Sequence, residues 1–223
     1  MSLWKGLPLL IFGTSGISKE VRSIIDEINR VNQVNVYDFL GYVGENDDLI
    51  GMDFDCEKVV TSDNYFGEYI SKFKEVGVVI PIGTPHIKKK IYNLTSKFNN
   101  VVYPNIISPS ANIMSKSKLK LGMGNIIAAG VNITVDVEIN NFNLINLNCT
   151  IGHDVKIKDF CVINPLVSIS GNVEVESEVL IGSGSSIKQG LKIGKNSIVG
   201  LGAVTVKDVK EETTVISRRA TEI

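Results

Sequence analysis

The chain has 223 residues and a formal net charge of −1, with 23 Lys and Arg against 24 Asp and Glu, so it lacks the concentrated basic charge through which nucleic acid or an anionic membrane is read. No apolar run approaches the ~20 residues that cross a bilayer and no basic start leads into a signal-peptide core, so the expectation is a cytoplasmic protein without a membrane partner. The three cysteines, Cys56, Cys149 and Cys161, are odd in number and fit small core side chains in a reducing compartment better than disulfides or metal ligands.

Residues 7–12 form a short apolar run that ends in Gly13-Thr14-Ser15-Gly16, after which Ile17, Val21, Ile24, Ile25 and Ile28 mark one face of a helix. Strand, glycine turn and helix open a Rossmann-like unit. Gly13 and Gly16 fall short of the full dinucleotide fingerprint, with Ser18 where that motif closes. Two readings stand: a tight turn, or backbone N–H groups of Gly13, Thr14, Ser15 and Gly16 facing a nucleotide phosphate or sugar at the helix N-terminus.

A second strand is expected over residues 34–40 and a loop over 41–48, where Glu45 either accepts hydrogen bonds from a ribose or base or is part of a polar turn. A helix is expected over 64–73, a third buried strand over 76–82 and a helix over 85–98, with Pro85 at its first turn. Gly83 and Thr84 then sit at a second strand-to-helix junction on the edge that carries Gly13, and the two junctions together form one pocket. His86 reads as a surface residue, and Lys88-Lys89-Lys90 as the solvated face of a helix.

The pattern breaks near Pro104. The expected organisation is a Rossmann-like sugar or nucleotide domain over residues 1–105, a β-helix over 106–212 and a C-terminal tail over 213–223. From Leu121 through Ile127, Ile133 and onward to Val199, an apolar residue recurs every sixth position without a slip, the signature of a hexapeptide β-helix. Four residues after each row member comes a second inward row of small or β-branched side chains such as Val131, Cys149, Cys161, Ser185 and Ala203. Three hexads close a triangular turn, so residues 18 apart stack on successive rungs, about 4.8 Å apart as between neighbouring strands. The position three after each row residue is usually Gly, Asn or Asp, including Asp208, as corners with left-handed backbone require. Phe142, Phe160, Leu166 and Glu178 break that rule.

His153 lies on the coil, just before Asp154 at a corner, so its imidazole points outward and can take a proton near neutral pH. A lone surface histidine is often inert, and a corner favours Asp154 on its own account.

The chain resembles the bacterial sugar acyltransferases that join a Rossmann-like sugar-nucleotide domain to a left-handed β-helix, including bacillosamine and perosamine N-acetyltransferases and sialic acid O-acetyltransferases. The resemblance rests on the stretches 10–16, 79–83, 145–154 and 169–173, above all Asn146 seven residues before His153 of the His153-Asp154 pair. It implies an α/β plus all-β fold, a Rossmann-like parallel sheet followed by a left-handed parallel β-helix, in a homotrimer that transfers acetyl from acetyl-CoA to an amine or hydroxyl of a nucleotide-linked sugar. It makes His153 the general base, Asp154 its orienting carboxylate, the Gly171 N–H the oxyanion donor and Asn146 a contact to the acceptor. Gly171, Gly182 and Lys207 would line the acetyl-CoA path, without a metal. For Gly171 the alternative is a glycine chosen for its turn.

The sequence departs from these relatives at Ile17 and Val162, where many have histidine, at Gly44 and Glu45, where paired Asp is common, and at its C-terminus, where Arg218 and Arg219 either meet CoA phosphates or belong to a solvated tail. A β-helical zinc enzyme is disfavoured by the single coil histidine. A nucleotidyltransferase lacks its signature here, and a non-catalytic sugar-binding or assembly protein on the same scaffold stays open.

Overall fold

The computed structural model describes residues 5–217, which divide into two compact units between Pro109 and Ser110.

In the first unit the order is β1 (Leu7–Phe12), α1 (Gly16–Asn32), β2 (Tyr37–Gly44), β3 (Asp53–Phe54), β4 (Glu57–Ser62), α2 (Phe66–Ile70), β5 (Val76–Val79), α3 (Pro85–Thr95) and β6 (Val101–Val102). The sheet runs β3-β4-β2-β1-β5-β6, parallel except for the β3–β4 hairpin. β1 is central, and Leu9, Leu10, Ile11 and Phe12 are buried, as the continuous apolar run predicts for a strand covered on both faces. The chain steps from β1 outward through β2 to β4, then returns to the other side of β1 as β5. That reversal leaves a crevice at the carboxyl ends of the strands.

Several boundaries differ from expectation. β2 starts at Tyr37 because the Asn29 side chain clasps its backbone, Nδ2 donating to the Tyr37 carbonyl (2.8 Å) and Oδ1 accepting from the Tyr37 N–H (3.0 Å). It then runs on through residues 41–44, expected as loop, and all four are buried. A register shift opposite Leu9 and Leu10 absorbs one residue beside Gly41, where a Cβ would lie 2.5 Å from Val60 and 2.7 Å from the Lys58 carbonyl oxygen. α2 is only Phe66–Ile70, because Asn64 is held by the Asp47 carboxylate instead of joining the helix. β5 stops at Val79, although Ile80 and Pro81 remain buried. α3 ends at Thr95, whose hydroxyl bonds back to the Ile91 carbonyl at 3.0 Å and meets the Tyr103 hydroxyl at 2.8 Å. Of the lysine run only Lys88 departs from a solvated face, at 1% exposure, while Lys89 is partly exposed and Lys90 exposed.

The second unit is a left-handed coil of two-residue strands with a parallel register of 18 residues, as in Ile133↔Ile151 and Ile151↔Ile169. Both inward rows are buried from Ile127 to Val199 except Leu191, which is partly exposed. Asn125 and Asn143 also occupy the second row. They form a ladder in which Asn125 Oδ1 accepts from Asn143 N–H (2.9 Å) and Asn143 Oδ1 from Cys161 N–H (2.8 Å), so each buried amide bonds to the next rung.

The corners form three columns of positive φ. Phe142 (φ 56°) and Phe160 (φ 60°) share one of them and stack with ring centroids 5.2 Å apart and planes 4° from parallel. Phe142 lies over Gly124, where a Cβ would be 2.5 Å from the ring. Stacking therefore offsets the left-handed cost that their type carries. Leu166 (φ 61°) has no such compensation and is 64% exposed. Asp208 is not a left-handed corner. The last turn is two residues short: Thr214 pairs with Ile198, 16 residues before it, Val209 bridges Ile193, and Glu212 (φ 55°) takes the corner. Asp208 Oδ1 instead accepts the Lys192 N–H at 2.9 Å.

The outward strand positions give each face a different chemistry. One carries Ile126, Leu144, Val162, Leu180 and Ile198. The second carries Asn132, Thr150, Ser168 and Ser186, and the third alternates Lys120, Glu138, Lys156, Glu174 and Lys192.

Candidate active site

His153 and Asp154 follow the strand Thr150–Ile151 at the corner between the small-polar face and the charged face. Their side chains are half exposed, 50% and 54%, with His153 Nδ1 and Asp154 Oδ2 2.8 Å apart. Asp154 is left-handed (φ 58°), which turns its carboxylate back toward the preceding residue. With the proton on Nδ1 donated to Asp154, Nε2 keeps its lone pair.

Gly171 lies one rung on, directly beneath the ring. A Cβ there would be 2.5 Å from both Cε1 and Nε2 of His153. Its φ is not in the left-handed region, so the turn does not demand glycine; the imidazole does. Gly152 is required for a different reason, since its Cβ would lie 2.6 Å from the Gly171 nitrogen and 2.8 Å from the Ser170 carbonyl carbon.

The Gly171 N–H has no acceptor among the described residues. At another corner of the coil the equivalent N–H groups are closed by side chains of the next rung: Met123 N–H by Asn141 Oδ1 (3.0 Å), Asn141 N–H by Asp159 Oδ1 (3.0 Å) and Asp159 N–H by Ser177 Oγ (3.4 Å). At the histidine corner the donor is left open beside the imidazole.

The coil register sorts the remaining coil candidates. Lys207 lies in the column of His153 and Gly171, with Gln189 between, and is exposed. Asn146 and Gly182 share a different column, at the corner that precedes the small-polar face. Asn146 is 6% exposed and its Oδ1 accepts from Leu147 N–H at 2.8 Å. Within one chain, then, Asn146 and His153 stand at opposite ends of one face and are not brought together. Cys149 is buried, which pushes its thiol pKa up to about 11, as befits a packing residue. Arg218 and Arg219 lie outside the described residues.

In the first unit, Gly13 (φ 89°) and Glu45 line a cavity of about 420 Å³ at the carboxyl ends of β1, β2 and β4. Phe12, Val43, Ile82, Ile87 and Ile91 supply apolar walls, and Asn46, Asp63 and Lys90 supply polar groups. The Gly13 N–H donates to the Val43 carbonyl at 2.9 Å, and a Cβ at Gly13 would approach Ile82 to 3.1 Å. Thr14, Ser15, Gly16, Gly83 and Thr84 flank the cavity in sequence without lining it. Ser15 precedes α1, and its N–H faces the buried Ser18 hydroxyl at 3.4 Å. Gly16 opens α1, Gly83 lies beside Ile17, and Thr84 accepts the Lys88 N–H at 3.0 Å. His86 is exposed on the first turn of α3.

Asp63 was not singled out in the sequence, and Lys90 was read only as part of a solvated lysine run. Asp63 follows β4 and Lys90 sits one turn into α3, so only the fold brings them to one cavity. Burial raises the Asp63 pKa, nearby Lys90 opposes the rise and Glu45 adds to it.

No protein-family model matches this sequence, and no curated protein is similar to it at a significant level. Solved structures do share its fold over almost its whole length. Perosamine N-acetyltransferase from Caulobacter crescentus, in complex with CoA and GDP-perosamine, superposes with a TM-score of 0.83 at 24% identity, covering 97% of this chain and 97% of that one. The acetyltransferase domain of PglB from Neisseria gonorrhoeae, in complex with acetyl coenzyme A, gives 0.82 at 20% identity over 98% and 100%. WeeI from Acinetobacter baumannii gives 0.81 at 26% identity over 95% and 97%. This chain therefore has the Rossmann-like plus left-handed β-helix fold found among bacterial sugar N-acetyltransferases.

Proposed function

We propose that this chain is an acetyl-CoA-dependent acetyltransferase acting on an amino group of a nucleotide-linked sugar, in the cytoplasm and as a homotrimer. The observation that carries the reading is the His153 imidazole, oriented by Asp154 and laid over Gly171 beside an open backbone N–H. The neighbours that bind CoA, acetyl coenzyme A and GDP-perosamine support the substrate classes.

Acetyl-CoA supplies the acyl group as a thioester. His153 Nε2 takes the proton of the acceptor amine as its nitrogen attacks the thioester carbonyl carbon. The Gly171 N–H donates to the carbonyl oxygen as negative charge develops, a contact worth about 3–4 kcal/mol where one such donor has been removed. When the C–S bond breaks, the imidazolium returns the proton to the departing sulfur. Asp154 holds the Nδ1–H tautomer and stabilises the cation between the two transfers.

The corner fits that chemistry because Gly171 adds no side chain between the imidazole and the open N–H. Lys207 lies three rungs from His153 in the same column, about 14 Å at the usual inter-strand spacing, and is the cation for a CoA phosphate. The separation of Asn146 and Gly182 from His153 supports the homotrimer, since only a second copy can bring that corner against the imidazole.

The test is thiol release from acetyl-CoA with purified protein and a panel of nucleotide-linked amino sugars. Turnover with at least one amino sugar is expected, and His153→Asn should lower kcat by at least about 100-fold with unchanged thermal stability. No turnover with any acceptor, or a fully active variant, would overturn the assignment and favour a non-catalytic sugar-binding protein.

A further inference from the structure

The cavity of the first unit holds two opposite charges, Asp63 and Lys90, that interact at long range without direct contact. Asp63 and Lys90 both line it, and neither side chain makes a hydrogen bond or ion pair among the described residues. Asp63 is partly buried and Lys90 exposed, and a desolvated carboxylate that accepts no protein hydrogen bond in a cleft is a candidate for a ligand contact. Asp47, by contrast, is engaged by Ser62 and Asn64.

Sheet topology ranks the positions around the cavity. In an open parallel sheet a nucleotide lies across the carboxyl ends of the strands, with phosphate at the first glycine turn and an acidic residue after the second strand at the ribose. Gly13 and Glu45 hold those two places. The base is then carried one strand further, to the end of β4, where Asp63 stands. Phe12, Ile82, Ile87 and Ile91 provide the apolar walls that a flat heterocycle needs.

We infer that this cavity reads the base of the nucleotide-linked sugar, that Asp63 and Lys90 are the residues that read it, and that the base is guanine. The inference rests on the nucleotide-sugar reading above. A carboxylate offers two adjacent acceptors and an ammonium only donors. Guanine presents N1–H and the 2-amino group side by side, followed by the O6 acceptor, and so matches the pair. Uracil presents one N–H between two carbonyls, and cytosine and adenine present one amino group beside a ring acceptor. None of these satisfies both carboxylate oxygens.

Calorimetric titration of the intact protein with nucleoside diphosphates tests this. GDP should bind at least 10-fold more tightly than UDP, CDP or ADP, and IDP, which lacks the 2-amino group, should bind more weakly than GDP by about the same factor. Asp63→Asn presents a donor and should turn the preference from GDP to xanthosine diphosphate, which has a carbonyl at that position. Lys90→Met should weaken GDP and IDP equally, because both keep O6. Tighter binding of UDP, CDP or ADP by the native protein would overturn guanine recognition and leave the nucleotide-sugar reading standing. Equal loss of all nucleotides in Asp63→Asn would remove that residue from base reading. Absence of binding by every nucleoside diphosphate would overturn the nucleotide-sugar reading together with this one.

Discussion

Replacing Gly171 by Ala separates the needs of the fold from those of the imidazole. The backbone at 171 is not left-handed, so alanine adds no conformational strain. Its Cβ would sit 2.5 Å from His153 Cε1 and Nε2, and an ordinary contact of about 3.5 Å requires the ring to retreat by about 1 Å. The ring is half exposed and can move into solvent at little cost to folding. Misplacing a catalytic group by that distance costs on the order of 100-fold in rate. Gly171→Ala should therefore lower kcat for thiol release by about 100-fold with a melting temperature within a few degrees of native. Gly152→Ala is the control, because its Cβ would meet backbone atoms of the next rung at 2.6–2.8 Å that cannot step aside. Overpacking of that kind costs about 1–3 kcal/mol. Native turnover in Gly171→Ala would show that the ring does not work from its place over residue 171, and a stability loss as large as that of Gly152→Ala would show that Gly171 serves the coil.

Asn143→Ala should destabilise the coil by about 1–3 kcal/mol in a denaturant titration, since it leaves the buried Cys161 N–H without its 2.8 Å acceptor. Leu166→Asn should raise stability by about 1 kcal/mol by relieving an exposed leucine at φ 61°; a fall would mean that another copy covers this corner. The raised Asp63 pKa makes the folded state hold its proton to higher pH than the unfolded state does, so this carboxylate lowers stability as pH rises above its ordinary value of 3.8. Asp63→Asn should accordingly be more stable than the native protein at pH 7, with the difference shrinking as pH falls toward 4, measured as denaturant midpoints at each pH.

The coil was legible because every rung repeats the same demand, so a period of six survives substitutions such as Asn143 for a valine. What the repeat could not reveal was how one column pays the cost of Phe142 and Phe160 at left-handed corners, since their stacking joins residues 18 apart. The short last turn was hidden because Asp208 has the right residue type for a corner and is used instead to accept the Lys192 N–H. In the first unit the strand and helix types were readable, but their ends are set by side chains from elsewhere, such as Asn29 on Tyr37. Asp63 and Lys90 were missed for the same reason: each looks like an ordinary surface charge until the sheet brings their elements to one cavity.

The placement of the histidine follows from how a coil of this kind is held. Its stability resides in the inward rows and the rung-to-rung hydrogen bonds, and the outward side chain of His153, bonded only to Asp154 among the described residues, contributes to neither. One corner spends Asn141, Asp159 and Ser177 on closing backbone donors, while the next keeps a donor open at Gly171 and sets an imidazole over it. Both arrangements leave the 18-residue register intact, as the unbroken pairing of Ile151 with Ile169 and of Ile157 with Val175 shows. A reactive corner can thus sit between structural ones without disturbing them, and substitutions at His153 should change turnover without changing the coil.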